Sequence, residues 1–231
     1  MSAAVIIGAS GGIGSAIADA LQEEGAFATI HRFGRSMEGT AHIDITDEAS
    51  ITAAAALVAK GPAPTLIFVA TGILHDSTAG PEKALKELDP AWLARVYAIN
   101  AIGPAMIAKH FLPIMPKSGR TVFAALSARV GSISDNRLGG WHGYRASKAA
   151  LNQLIRTIAI EERRRNSSSV VVALHPGTVD TALSKPFQAN VAPGHLFDAG
   201  RAAVQLLDVL DGLRPTDSGK LFAWDGVEVS P

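Results

Sequence analysis

Gly8-Ala9-Ser10-Gly11-Gly12-Ile13-Gly14 is the stretch that decides how this chain reads. The apolar run Ala3-Ala4-Val5-Ile6-Ile7 leads into it, and a helical pattern over 12–24 leads out. Strand, glycine turn and helix in that order leave free backbone amides at a helix N-terminus, where amides and helix dipole together stabilise an anion. Glycines remove the Cβ atoms that would hold a phosphate away from the backbone. The spacing is G-x-x-x-G-x-G, through Gly8, Gly12 and Gly14, and not the G-x-G-x-x-G of many dinucleotide sites. Its position after the first strand marks it as a nucleotide site.

Outward from the turn, short β-type runs alternate with longer helical patterns. Strands are predicted over 3–7, 27–33, 41–44, 65–70, 121–126, 170–175 and 220–223, and helices over 12–24, 48–59, 91–111, 144–165 and 199–211. Leu66-Ile67-Phe68-Val69-Ala70 and Val170-Val171-Val172-Ala173-Leu174 are continuous apolar runs, as in strands covered on both faces. The prediction is an α/β chain: a single-domain, Rossmann-type, doubly wound parallel sheet flanked by helices over residues 1–231. The 231 residues suit one such domain. Lys plus Arg equals Asp plus Glu at 21 each, so no general field draws the chain to nucleic acid or an anionic membrane. The absence of cysteine excludes disulfides, thiolate metal sites and a cysteine nucleophile. Seven histidines without H-E-x-x-H spacing give no expectation of a metal. With no targeting or membrane segment visible, the expected location is the cytoplasm.

The second strand chooses between nucleotides. NAD sites usually place a carboxylate near its end, but here the segment reads His31-Arg32-Phe33-Gly34-Arg35-Ser36. A guanidinium fork suits a ribose 2′-phosphate, which favours NADP (NADPH), with Arg35 ahead of Arg32. Farther along, Tyr144-Arg-Ala-Ser-Lys148 opens a helix and puts a phenol and an ammonium on one face, four residues apart. A free phenol titrates near 10. A neighbouring cation favours the phenolate and so is expected to lower that value, fitting the phenol for proton exchange with a carbonyl or alcohol.

Taken together these segments resemble the short-chain dehydrogenase/reductase family, in its small C-factor-like or carbonyl-reductase-like branch, over almost the whole chain. Gly8, Gly12 and Gly14 match its glycine motif, and Asp44 its adenine-contacting aspartate. Ala70-Thr71-Gly72 stands where the family has Asn-Ala-Gly. Asn100 matches its helix asparagine, Tyr144 and Lys148 its Y-x-x-x-K, and Pro176-Gly177 with Thr181 its P-G-x-x-x-T. The resemblance implies a cofactor held also by Ser10, Ile13, Ser36, Ile45 and Val179, a lysine that grips the nicotinamide ribose, and a water near Asn100 linking that lysine to solvent. It further implies a small carbonyl or alcohol substrate and a homodimer or homotetramer.

Gly103-Pro104 beside Asn100 is expected to bend the helix and free a carbonyl. One position departs from the family: Leu126-Ser127-Ala128-Arg129-Val130-Gly131-Ser132 has Ala128 where the catalytic serine usually stands. Ser132, nearer Tyr144 in sequence, or Ser127 would have to donate to the substrate oxygen, or no serine does. Two functions therefore stay open: an NADPH-dependent carbonyl reductase running in either direction, and a non-catalytic NADP-binding sensor on the same fold. Trp141, Phe187, Val191, Leu196 and Phe197 are candidates for an apolar pocket under a lid.

Overall fold

The computed structural model describes residues 2–231, except the side chain of Asn190. Its main sheet is built from β1 (Ala3–Ile7), β2 (Thr29–Phe33), β3 (Pro64–Val69), β4 (Thr121–Leu126), β5 (Ser169–His175), β8 (Leu221–Ala223) and β9 (Glu228–Val229). The strand order is β2-β1-β3-β4-β5-β8-β9, all parallel except the antiparallel edge strand β9. Both faces are covered, which explains the unbroken apolar runs. Val171 and Ala173 join one core with residues of α2 (Glu48–Val58), α4 (Gly103–Phe111) and α5 (His142–Arg165). Val170, Val172 and Leu174 join the other, with residues of α1 (Gly12–Glu24) and α6 (Ala199–Gly212). The chain adds β2 on one side of β1 and β3 on the other, and the crevice at the carboxyl ends of β1 and β3, where this order reverses, is where such folds take a ligand.

The predicted elements are recovered within two residues at their ends, with three differences. No strand forms over 41–44. A 3₁₀ turn at Gly39–Ala41 takes up its first residue, and the segment meets the sheet only through a single bridge between Gly34 and His42, beyond the end of β2. Two short strands escaped the sequence reading, β6 (Thr178–Val179) and β7 (Leu196–Phe197); they pair outside the main sheet and close the base of the loop between them. The helix expected over 91–111 is divided: α3 (Pro90–Tyr97) runs through a π-helical turn at Ala98–Ile102 into α4. Pro104 has no N–H for the carbonyl of Asn100, four residues earlier, and the wider turn accommodates that break. The run Pro90–Ile114 is long and apolar enough to cross a membrane by length and composition, but here it packs Val96, Ala101, Ile107 and Phe111 into the protein.

Helix starts differ in a way that matters for the site. Helices α2, α3 and α6 begin on Asp47, Asp89 and Asp198, whose side chains accept from amides of the first turn. Helices α1 and α5, which open at the crevice, have no such cap from their own N-cap residue.

Candidate active site

A cleft of about 540 Å³ lies over the carboxyl ends of β1, β3 and β4. Gly8, Ser10, Gly12 and Ile13 line one end. Gly8 adopts φ +90°, and a Cβ on Gly14 would lie 2.3 Å from the Gly8 carbonyl oxygen, so the turn tolerates no side chain at either position. The amides of Gly8 and Ala9 both donate to the Phe33 carbonyl, at 2.8 and 2.9 Å, which ties the turn to the end of β2. The N-terminus of α1 has neither a side-chain cap nor an acidic residue in its first turn. Thr71 lines the same end, and its Oγ1 is buried without a partner. Uncapped amides, a cradle without Cβ atoms and an orphaned hydroxyl fit the pyrophosphate end of a dinucleotide.

Around the corner the cleft is lined by Arg35, Asp44, Ile45, Ala70 and Gly72. Arg32 is held elsewhere, 2.6 Å from Asp19 on α1. Ser36 is exposed and outside the cleft lining. Asp44 accepts from the Thr46 hydroxyl and amide, and these hydrogen bonds hold its carboxyl below the usual range. Ile45 presses on Gly103, where a Cβ would stand 2.8 Å from Ile45 Cδ1.

Tyr144 and Lys148 line the middle of the cleft. Lys148 Nζ stands 5.8 Å from the centre of the Tyr144 ring and donates to the Leu126 carbonyl at 2.8 Å. The expected lowering of the phenol is absent. Burial pushes Tyr144 up to about 12, and burial also brings Lys148 down to about 7. An amine that titrates near neutrality carries only part of its charge there, so desolvation dominates both groups.

Asn100 sits in the π-turn with no exposure. Its Nδ2 donates to the Ile73 carbonyl (2.9 Å) and to Ser147 Oγ (3.1 Å), and its Oδ1 accepts from the Ile73 amide (2.8 Å). The side chain therefore clamps the loop after β3 onto α5. Ser127 lines the cleft, with Oγ donating to Asn152 Oδ1 at 2.7 Å. Ser132 is buried outside the lining, and its Oγ accepts from the Asp135 amide at 3.2 Å. Of the two candidate serines, Ser127 is the one that lines the cleft. Pro176 and Thr181 line the cleft, whereas Gly177 packs against Phe197 and Trp224 and Val179 is buried in the small sheet.

The model of the short chain dehydrogenase family matches residues 2–192. This chain belongs to the short-chain dehydrogenases. It is 36% identical to the C-signal protein of Myxococcus xanthus over 172 residues, 74% of this chain and 95% of that protein. It is 29% identical to 1-hydroxy-2-glutathionyl-2-methyl-3-butene dehydrogenase of a Rhodococcus species, covering 98% of both. Among solved structures, the NADPH-bound carbonyl reductase from chicken fatty liver superposes with a TM-score of 0.79 at 25% identity, over 100% of this chain and 98% of that one. The protein is thus an NAD(P)-dependent oxidoreductase of that family.

As a short-chain dehydrogenase it carries site residues that pattern reading passed over. Ile73, His75 and Arg95 line the cleft from the long connection after β3 and from α3, and Leu183 lines it from the loop between β6 and β7. His75 Nε2 lies 3.2 Å from the carbonyls of Ala182 and Leu183, and Phe187 packs edge-on to both His75 and Trp141. None of the five expected pocket aromatics and aliphatics, Trp141, Phe187, Val191, Leu196 and Phe197, is in the cleft lining; Phe197 is buried 4.8 Å from the Trp224 ring, and Leu196 is exposed. No periodic pattern marks Ile73, His75, Arg95 and Leu183, because all but Arg95 lie in connections.

Proposed function

We propose that the protein is an NADPH-dependent carbonyl reductase, or in reverse an alcohol dehydrogenase, acting on a small aldehyde, ketone or quinone. The observation that carries the reading is that Tyr144 and Lys148 share one cleft with the uncapped glycine turn of α1. A bound reduced nicotinamide supplies the hydride. Tyr144 Oη donates a hydrogen bond to the carbonyl oxygen and passes its proton as the alkoxide forms; a phenol kept neutral by burial is the right donor for that direction. Lys148 holds the nicotinamide ribose and returns a proton to Tyr144. The Asn100 carbonyl, which Pro104 cannot satisfy, holds the water that refills Lys148. Arg35, in the cleft and in no ion pair among the described residues, takes the 2′-phosphate, and Thr71 Oγ1 takes a cofactor oxygen. Exposed Ile102 and Ile160, on the π-turn and on α5, support pairing of subunits along these helices.

A second reading has its own observation. Ala128 replaces the usual serine, the Ser127 hydroxyl is spent on Asn152, and Ser132 is buried outside the cleft lining. That arrangement favours a sensor that binds NADP without turnover. One experiment separates the two. The purified protein is mixed with NADPH and a panel of aldehydes, ketones and quinones, and cofactor oxidation is followed for wild type and Tyr144→Phe. The reductase reading expects turnover that Tyr144→Phe abolishes with cofactor affinity intact; tight NADPH binding with no turnover across the panel refutes it.

A further inference from the structure

We propose that Glu82 is the positioning residue for Tyr144, its carboxylate serving as the missing cap of the helix that carries the phenol and the lysine. The proposal rests on the reductase reading. Helix α5 starts abnormally: Gly139, Gly140 and Trp141 all adopt left-handed backbone, at φ 64°, 65° and 52°, and Trp141 is the only non-glycine with positive φ among the described residues. A residue other than glycine holds that conformation when its surroundings impose it. Here they do. The Trp141 amide donates to the Glu82 carbonyl at 2.5 Å, and the Gly143 amide donates to Glu82 Oε2 at 3.0 Å. Gly143 is the residue before Tyr144, so the carboxylate grips the turn from which the phenol projects.

The grip is tight and comes from far away in sequence. Glu82 is 3% exposed, and a Cβ on Gly143 would stand 2.8 Å from Glu82 Oε1 and 2.9 Å from Leu93 Cδ2. A side chain at 143 would therefore displace the carboxylate from its place. Glu82 lies in the connection between β3 and α3, which is braced by the ion pair of Asp76 with Arg95 and by the Lys83 amide donating to Glu87 Oε2 at 2.7 Å. A carboxylate at a helix N-terminus also complements the helix dipole. Asn100 clamps the loop after β3 to Ser147 on the same helix. Glu82 and Asn100 therefore fix α5 on either side of Tyr144. Glu82 Oε1 has no partner, so only Oε2 needs to accept, and a glutamine can replace it through its own oxygen.

The test compares Glu82→Ala, Glu82→Asp and Glu82→Gln. The first removes the acceptor, the second withdraws it by one methylene with its charge kept, and the third keeps it without the charge. Expected is a fall in kcat of about tenfold or more for Ala and Asp, with the NADPH dissociation constant, read by cofactor fluorescence, within about twofold of wild type. Gln recovers kcat to within about threefold. Hydrogen exchange of the amides over 143–147 speeds up about tenfold in Ala and not in Gln. Wild-type kcat in Asp, or Gln as poor as Ala, overturns the proposal even if Ala does not fold. If wild type reduces no carbonyl, the reductase reading falls and the catalytic half of this proposal falls with it. An exchange contrast between Ala and Gln in that case locates the failure in the chemistry rather than in the cap.

Discussion

Lys148 ties stability to pH in a window where few other groups titrate. It is 2% exposed, and burial brings its pKa from 10.5 down to about 7. Between those values the unfolded chain holds a proton that the folded chain does not, so stability rises with pH, at up to about 1.4 kcal/mol per unit. Over the whole window the gain is at most about 5 kcal/mol, a large share of the roughly 5–15 kcal/mol that holds a domain folded. Tyr144 works the other way, later: with its pKa raised from 10.0 to about 12, the unfolded chain loses its proton first, and stability falls as pH climbs through that range. The cofactor-free protein is therefore expected to be most stable near pH 10. Lys148→Met, similar in length and uncharged, erases the rising limb and keeps the fall above it. The assay is urea unfolding of both proteins at steps from pH 7 to 11, with unchanged m-values as the control for two-state behaviour. Parallel stability curves for the two proteins between pH 7 and 10 would refute the argument, because they would mean that Lys148 keeps its charge in the fold.

On the acid side, His175 is held down to about 4, chiefly by burial and secondly by Arg129. Its unfolded form protonates first as pH drops below about 6.5, so the fold loses roughly 3 kcal/mol on the way to pH 4, and His175→Gln should flatten that limb in the same unfolding assay. Gly14→Ala should gain about 1 kcal/mol of helix propensity and lose more to the 2.3 Å clash with the Gly8 carbonyl, which lies in backbone that cannot swing away. A lower Tm and an NADPH affinity weakened at least about tenfold are expected; a raised Tm with intact affinity contradicts this. Arg35→Ala should weaken NADPH binding by about tenfold or more and leave NADH binding unchanged. Arg32→Ala, which breaks the half-exposed pair with Asp19 and a hydrogen bond to the Ala18 carbonyl, both on α1 and outside the cleft lining, should alter neither affinity.

The sequence was most informative where one residue type answers one physical demand. The glycine turn, the two-faced strands and the Tyr144–Lys148 spacing were all legible because a missing Cβ, double burial and a helical repeat leave direct marks. The 41–44 strand misled because apolar character shows burial, and Ile43 is indeed buried, while ladder pairing depends on a 3₁₀ turn set by Gly39. The break in the helix over 91–111 was visible in Pro104, although its π-turn form was not. That Ser127 and not Ser132 lines the cleft was not legible, because nearness in sequence to Tyr144 says nothing of which way a loop residue turns. His75 and Leu183 left no mark at all: each acts from an irregular connection, and only the folded chain shows what a connection touches. One weak signal for Glu82 did exist, since Gly143 at the start of a helix is a poor choice unless something occupies the space of its side chain.

The helix starts bring these points into one account. Three helices away from the crevice's central turn end their amides on an aspartate of their own, at Asp47, Asp89 and Asp198. The two that open at the crevice do not, and they are completed differently. Helix α1 leaves its amides free behind glycines that no side chain could replace, an arrangement whose electrostatics are balanced only by an anion from outside the chain. Helix α5 is closed by a carboxylate from the β3–α3 connection, so its first turn is fixed before any ligand arrives. A pre-fixed phenol beside an anion-seeking turn is the economy expected of a catalyst: the mobile partner binds at the open end, and the proton donor meets it without reorganising. A sensor gains nothing from that rigidity around Tyr144. The capping pattern thus weighs toward catalysis even where the usual serine has become Ala128, and it does so on grounds independent of that serine.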